Sequence, residues 1–533
     1  MLPILTNLLS QNQRKESAIA RRFLIAALLA VLVAFGGCDL PNFEDTDDDV
    51  GLDALRRRMG ASQAPTGKGV RLSLVEANSA EDADADQGPP LQYVPDRTRA
   101  GLQDKTITDQ SGQTHPPQAT SGHATGMARL VCGKGGIAPG VQEIDAYLSS
   151  HWLLEGPLQG FRPQPPKKMS ARLMNHSWVA VEVLDDKESG IKGEQIAAEY
   201  LRRADLLIDR DGLTMVVGVN NRRDTMLPHL FAHAYNVISV GLSSGNSSVG
   251  PTRIESEVAG RCKPDIVCPA RTTSAATAKV TGAAALLLET ADAHAHAAHA
   301  ARPEVIKAVL LAGATRDEEE FDEPWPDDVA QPLDFHRGAG ELNINNSHLI
   351  LSAERRGPGS EQPASSTGWD YGEVASGETR RYRLHLPPGQ KNEVLSISLV
   401  WHRKIAIGTF GDDHPAIVAP APLANLNLRL VHLDKSGEET LVAESASQID
   451  NVEHLFIAHP APGDYFIEVN GASGSAPFAV AWQTRGADEP MLSVGVQYAL
   501  RYLALLLAAI VFYVWRKRRA RRADGAATSS NKL

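Results

Sequence analysis

The chain has 533 residues, enough for two to four domains at roughly 100–200 residues each. Hydrophobic residues make up 43%, ample for a real core, and 53 Lys and Arg against 64 Asp and Glu leave a net charge of -11. So acidic a chain is no general nucleic-acid binder, which would need clustered cations to neutralise phosphates.

In chain order, the first signal is for export. Arg14, Lys15, Arg21 and Arg22 precede an apolar run over residues 23–35, followed by Gly36-Gly37-Cys38. Small residues before a cysteine resemble the bacterial lipoprotein box, which would lipidate Cys38. An uncleaved signal anchor is the alternative reading. Residues 39–66 are acidic (Glu44-Asp45-Thr46-Asp47-Asp48-Asp49) and read as an irregular spacer.

From Gly67 the pattern alternates. Residues 70–75, 173–183, 213–219 and 237–240 read as buried strands, and residues 194–207 and 277–289 as helices. That predicts an α/β domain with a mainly parallel central sheet over residues 67–355. Residues 356–366 are a Gly/Pro/Ser-rich joint. Beyond it, short strand-like runs at 380–386, 394–401, 426–433, 454–457, 464–469 and 478–482 predict a jelly-roll-like β-sandwich over 367–485. Residues 491–515 are largely apolar. Residues 502–515 alone would reach about 21 Å as a helix, short of the roughly 30 Å hydrocarbon core, so a transmembrane helix needs the full stretch. The cluster Arg516-Lys517-Arg518-Arg519 then predicts a cytoplasmic tail over residues 516–533. Both ends place residues 39–490 on the outer face of a cell membrane.

Nucleophilic acyl transfer needs a hydroxyl, a base, an orienting acid and oxyanion donors. Ser274 opens an Ala-rich helix after Lys263-Pro264-Asp265 and a short strand, which sets its Oγ at a positive helix end. His123 stands in Ser121-Gly122-His123-Ala124-Thr125-Gly126. Asn220 and Asn221 end a buried strand, and Glu76 follows the run from Gly67 to Val75.

These segments together resemble the subtilisin-like serine proteases, the subtilases. Lys263-Pro264-Asp265 and Thr273-Ser274-Ala275-Ala276 resemble the KPD and GTS-x-AAP motifs, with Thr272 for the family's Gly and Ala278 for its Pro. The His123 segment resembles HGT-x-VAG. The resemblance implies Ser274 as nucleophile, His123 as base, Glu76 as acid in place of Asp, and Asn220 as oxyanion donor. In the AGN-x-G motif Arg222 then replaces Gly; a one-residue shift would make Asn221 the donor. Asp82, Asp84 and Asp86 are alternative acids. Met174-Asn175-His176-Ser177-Trp178 resembles the strand edge that pairs with substrate, which nominates Ser177 and Trp178. The β-region resembles modules that follow many subtilase domains.

The resemblance implies a membrane-tethered, extracytoplasmic, monomeric serine endopeptidase with a protein or peptide substrate. A catalytically inactive subtilase fold used for binding or scaffolding is the alternative. No cofactor is evident, and a structural calcium has no legible loop. His294, His296 and His299 read as a solvated helix end in preference to a metal site. Cys262 and Cys268 could bridge each other, or either could reach Cys132; free buried thiols are the other reading.

Overall fold

The computed structural model describes residues 50–79, 90–160, 164–180, 192–223, 225–253, 258–316, 328–359, 365–388, 394–410, 414–417 and 422–486. They lie in the compact unit Asp47–Leu533. The export signal with Cys38, the alternative acids Asp82, Asp84 and Asp86, the span over 491–515 and the tail fall outside them. Among the described residues no helix is long and apolar enough to cross a membrane.

Seven parallel strands form the central sheet: β1 (Arg71–Glu76), β2 (Thr106–Asp109), β3 (Glu143–Leu148), β4 (Leu173–His176), β5 (Thr214–Gly218), β6 (Ile238–Leu242) and β7 (Ile266–Cys268). Their order is β2-β3-β1-β4-β5-β6-β7. Strands buried on both faces need continuous apolar runs, and the VVG of β5 and ISVGL of β6 are fully buried. From β1 the chain proceeds to one side of the sheet and from β4 to the other. The switch therefore lies between β1 and β4, and ligands of open α/β sheets bind outside the carboxyl ends of the strands there.

The longer helices of the described residues position the rest: α1 (Leu52–Met59), α2 (Gly122–Cys132), α3 (Gly193–Asp211), α4 (Thr273–Asp292), α5 (Pro303–Gly313) and α6 (Ile344–Ser352). Each start has a local cause. Ser121 and Thr272 cap α2 and α4 by accepting from Ala124 N and Ala275 N, and Pro303 opens α5. Helix α4 is buried almost throughout, and its small residues allow close approach; a Cβ on Gly282 would stand 2.5 Å from Ile137 Cβ.

The spacer expected over 39–66 is corrected in its second half. Residues 52–59 are helical, and Val50, Leu52 and Leu55 are fully buried in the main core. Arg58 adds contacts to Asn345 Oδ1 at 2.8 Å and His348 Nδ1 at 2.9 Å on α6. The acidic residues before α1 obscured a short amphipathic turn.

The C-terminal half folds into two four-stranded antiparallel sheets. They comprise β8 (Thr367–Val374), β9 (Thr379–Leu386), β10 (Val394–Trp401), β11 (Asn425–Leu433), β12 (Glu439–Ser445), β13 (Val452–Ala458), β14 (Gly463–Ser473) and β15 (Ala476–Arg485). The orders are β8-β15-β10-β13 and β9-β14-β11-β12. Leu384, Leu428 and Ile467 from one sheet share a core with Ile397, Leu399, Phe478 and Trp482 from the other.

The two halves are not separable by their cores. Trp369, Val400, Val452, Ala479 and Ala481 belong to the same buried cluster as α4 and α5, and α5 packs on β10 and β15. Polar contacts surround this seam. Arg403 Nε donates to Asp205 at 2.9 Å, Asn451 Nδ2 to Tyr235 O at 3.1 Å, and Cys262 N to Asp450 at 3.0 Å.

Candidate active site

Strand β1 delivers Glu76 to the sheet's carboxyl edge, where the side chain is 1% exposed. Its Oε2 lies 2.6 Å from Nδ1 of His123, in the first turn of α2. Burial pushes the Glu76 carboxyl up; the hydrogen bond and charge of His123 act against that. The Glu76 hydrogen bond raises the His123 pKa above its ordinary value, against its own partial burial, and the Glu76 charge adds to the rise. A carboxylate on Nδ1 fixes the tautomer that leaves Nε2 free to accept a proton. The longer Glu stem thus reaches its histidine directly. Among the described residues Glu76 Oε1 is buried with no hydrogen-bond partner.

Beside β1, β4 places Val75 opposite His176 and leads directly into Ser177. Ser177 and Ser274 clasp each other: Ser177 Oγ donates to Ser274 O at 3.0 Å, and Ser274 Oγ to Ser177 O at 3.1 Å. Asn175 Nδ2 donates to Ser177 Oγ at 2.9 Å, and Thr281 Oγ1 to Asn175 Oδ1 at 3.0 Å, so the clasp is anchored in α4. Among the described residues no hydrogen bond joins Ser274 to His123. Hydrogen bonds of this kind are commonly unmade without substrate.

Trp178 is half-buried, its Nε1 donating to His176 Nδ1 at 3.1 Å. Phe231 packs edge to face on the Trp178 ring, and Trp152 packs edge to face on His176 and Phe231 behind it. Burial pushes His176 down to about 3, so it is a neutral support for Trp178. The segment continues to Ala180, which bridges His229.

The two asparagines, Asn220 expected as the donor and Asn221 as its alternative, bond different partners. Asn220 Nδ2 donates to Met226 O at 3.1 Å, which ties down its own loop. Asn221 Oδ1 accepts from Thr273 N at 2.7 Å and Thr273 Oγ1 at 2.9 Å. With its oxygen held by the residue before Ser274, the Asn221 NH2 group remains as a donor at the helix start. There the first-turn N–H groups, that of Ser274 among them, lack intrahelical acceptors.

Residues 67–340 match the model described as the subtilase family. The chain belongs to the subtilase family. No curated protein matches this subtilase. It is similar to the epidermin leader peptide processing serine protease of Staphylococcus aureus at 14% identity, over 60% of this chain and 84% of that one, with a TM-score of 0.39. For fervidolysin of Fervidobacterium pennivorans, a keratinolytic enzyme related to subtilisin, the values are 13%, 83%, 82% and 0.35. For tripeptidyl peptidase 2 they are 11%, 69%, 40% and 0.28, so the subtilase spans under half of that chain's length.

Other polar clusters have structural partners. His294 Nε2 meets Ala353 O at 3.2 Å, and His299 Nδ1 meets Arg355 at 2.7 Å. Asp209, Glu304 and His402 converge at the seam, but Lys404 already bonds Asp209 and Arg302 already bonds Glu304. A metal would have to displace two cations. Cys132, Cys262 and Cys268 are buried thiols, and among the described residues no disulfide joins them.

Proposed function

We propose that the subtilase domain is a serine endopeptidase in which Ser274, His123 and Glu76 form the triad. Ser274 Oγ turns from the Ser177 carbonyl to His123 Nε2 and attacks the scissile carbonyl carbon, while Nε2 takes its proton. Glu76 stabilises the resulting imidazolium through Nδ1. Asn221 Nδ2 and the Ser274 N–H receive the oxyanion. His123 then protonates the leaving amine, and water repeats the sequence to release the acyl group. Ser177 and Trp178 border the bound peptide.

The observation that carries this reading is the 2.6 Å contact between the buried Glu76 carboxylate and His123, at the switch point that also holds Ser274. A fluorophosphonate probe should label the purified protein, and Ser274→Ala should abolish labelling and peptide cleavage while the fold persists. Undiminished labelling of that variant would exclude Ser274. The alternative of an inactive binding fold draws on the bond from Ser274 Oγ to the Ser177 carbonyl. Complete absence of labelling in the parent protein would favour it.

Residues 367–485 are read as a jelly-roll β-sandwich, supported by the strand orders β8-β15-β10-β13 and β9-β14-β11-β12. The apolar runs at 23–35 and 491–515 support tethering to a membrane with the peptidase outside.

A further inference from the structure

Between β4 and α4 the subtilase buries polar side chains where Leu173, Ala278 and Val280 of the same two elements join the main apolar core. Asn175 and Thr281 are fully buried and Ser177 nearly so. A buried polar group without a partner is costly, and these three satisfy one another in a single row. Thr281 Oγ1 donates to Asn175 Oδ1 at 3.0 Å, Asn175 Nδ2 to Ser177 Oγ at 2.9 Å, and Ser177 Oγ to Ser274 O at 3.0 Å. Donors aligned in one direction polarise and strengthen each other. The row ends on the candidate nucleophile, because Ser274 Oγ donates back to Ser177 O at 3.1 Å. The carbonyl that sets where Ser274 Oγ rests therefore belongs to the residue that the row holds.

Resting on the protease reading above, we propose that Asn175 and Thr281 are positioning residues for peptide hydrolysis, acting through Ser177 to keep the peptide-binding strand edge and Ser274 in register. Thr281 stands roughly 10 Å and two turns along α4 from Ser274. A single contact would leave the end of β4 free to pivot about it. Two contacts that far apart fix both its distance from the helix and its tilt. The hydroxyl is not needed for α4 itself: Thr281 Oγ1 also reaches Thr277 O of its own helix at 2.8 Å, a local bond that adds nothing to the backbone ladder. A role in folding alone would change how many molecules are competent. A positioning role changes the turnover of each competent molecule, since a misplacement of about 1 Å can cost about 10²-fold in rate.

The test counts active sites by fluorophosphonate labelling carried to completion, and expresses kcat for one cleavable peptide per labelled site, with KM and Tm read alongside. Thr281→Val keeps the side-chain shape and removes the hydroxyl. It should lower kcat per labelled site by at least about 10-fold while KM stays within about 2-fold of the parent. Thr281→Ser returns the hydroxyl and should restore kcat to within about 3-fold. Asn175→Ala should be impaired like Thr281→Val; should it fail to fold, the two Thr281 variants still decide. Unchanged kcat per labelled site in Thr281→Val, whatever happens to its Tm or its number of sites, would overturn the positioning role. So would a Thr281→Ser protein as slow as Thr281→Val. In either case a labelled, active parent leaves the protease reading standing. A parent that takes no label removes that reading, and the positioning role falls with it.

Discussion

Glu76 is a buried carboxylate with one oxygen on His123 and the other, among the described residues, without a donor. The base must be neutral to accept a proton, and its pKa is raised mainly by the Glu76 hydrogen bond. As pH falls, kcat/KM should therefore begin to drop at a pH above the ordinary histidine value of about 6.5. Glu76→Gln removes the charge; it should move that acid limb to lower pH and cut kcat by at least about 10²-fold, a discounted form of the loss known for a triad acid. Glu76→Asp withdraws the carboxylate by about 1.5 Å from a contact already made, so it should also be slower. An unchanged pH profile in Glu76→Gln would remove Glu76 from the triad. At the oxyanion, Asn221→Ala should lower kcat by about 10²–10³-fold, whereas Asn220→Ala should act only through its loop. Steady-state kinetics that ranked them the other way would restore Asn220. Sequence alone could not choose between these neighbours, because one residue of register turns a side chain to the opposite face. Glu76, His123 and Ser274 could be nominated from sequence because each stands at the end or start of a regular element.

Among elements, legibility tracked burial. β1, β4, β5 and β6 stood out as apolar runs because both faces are covered, and α4 stood out through its alanines; β2, partly exposed at the sheet edge, and its neighbour β3 did not. β12 was missed because it is an edge strand whose Leu441 and Val442 are 46% and 43% exposed, so no alternation marks it. β8 was missed because Gly368 and Gly372 break its pattern, although Trp369 within it is fully buried. That tryptophan donates Nε1 to Leu351 O at 3.1 Å and packs in the core it shares with α5. Trp369→Ala should cost about 3–5 kcal/mol. Since the core is continuous, thermal unfolding and loss of probe labelling should shift down together. Two transitions, with labelling surviving the melting of the β-region, would show that the halves are energetically independent.

For the molecule as a whole, the apolar runs at 23–35 and 491–515 and the basic cluster after them predict one topology. In intact cells or spheroplasts, external protease should reach residues 39–490 and spare the tail after 516. Protection of the middle region would refute an outward-facing peptidase. Tethered or not, the shared core has a consequence for when the proposed protease could become dangerous to its maker. The described core residues that seal α5 include Val452, Ala479 and Ala481, which leave the ribosome well after Ser274. Growing at about 5–20 residues per second, the chain spends roughly ten to forty seconds between residues 274 and 481 with α5 uncovered. Over that interval α4, the helix that begins beside Ser274, rests on an unfinished foundation. Birth order thus acts as a timer: the site proposed around Ser274 is completed only once residue 481 has been made.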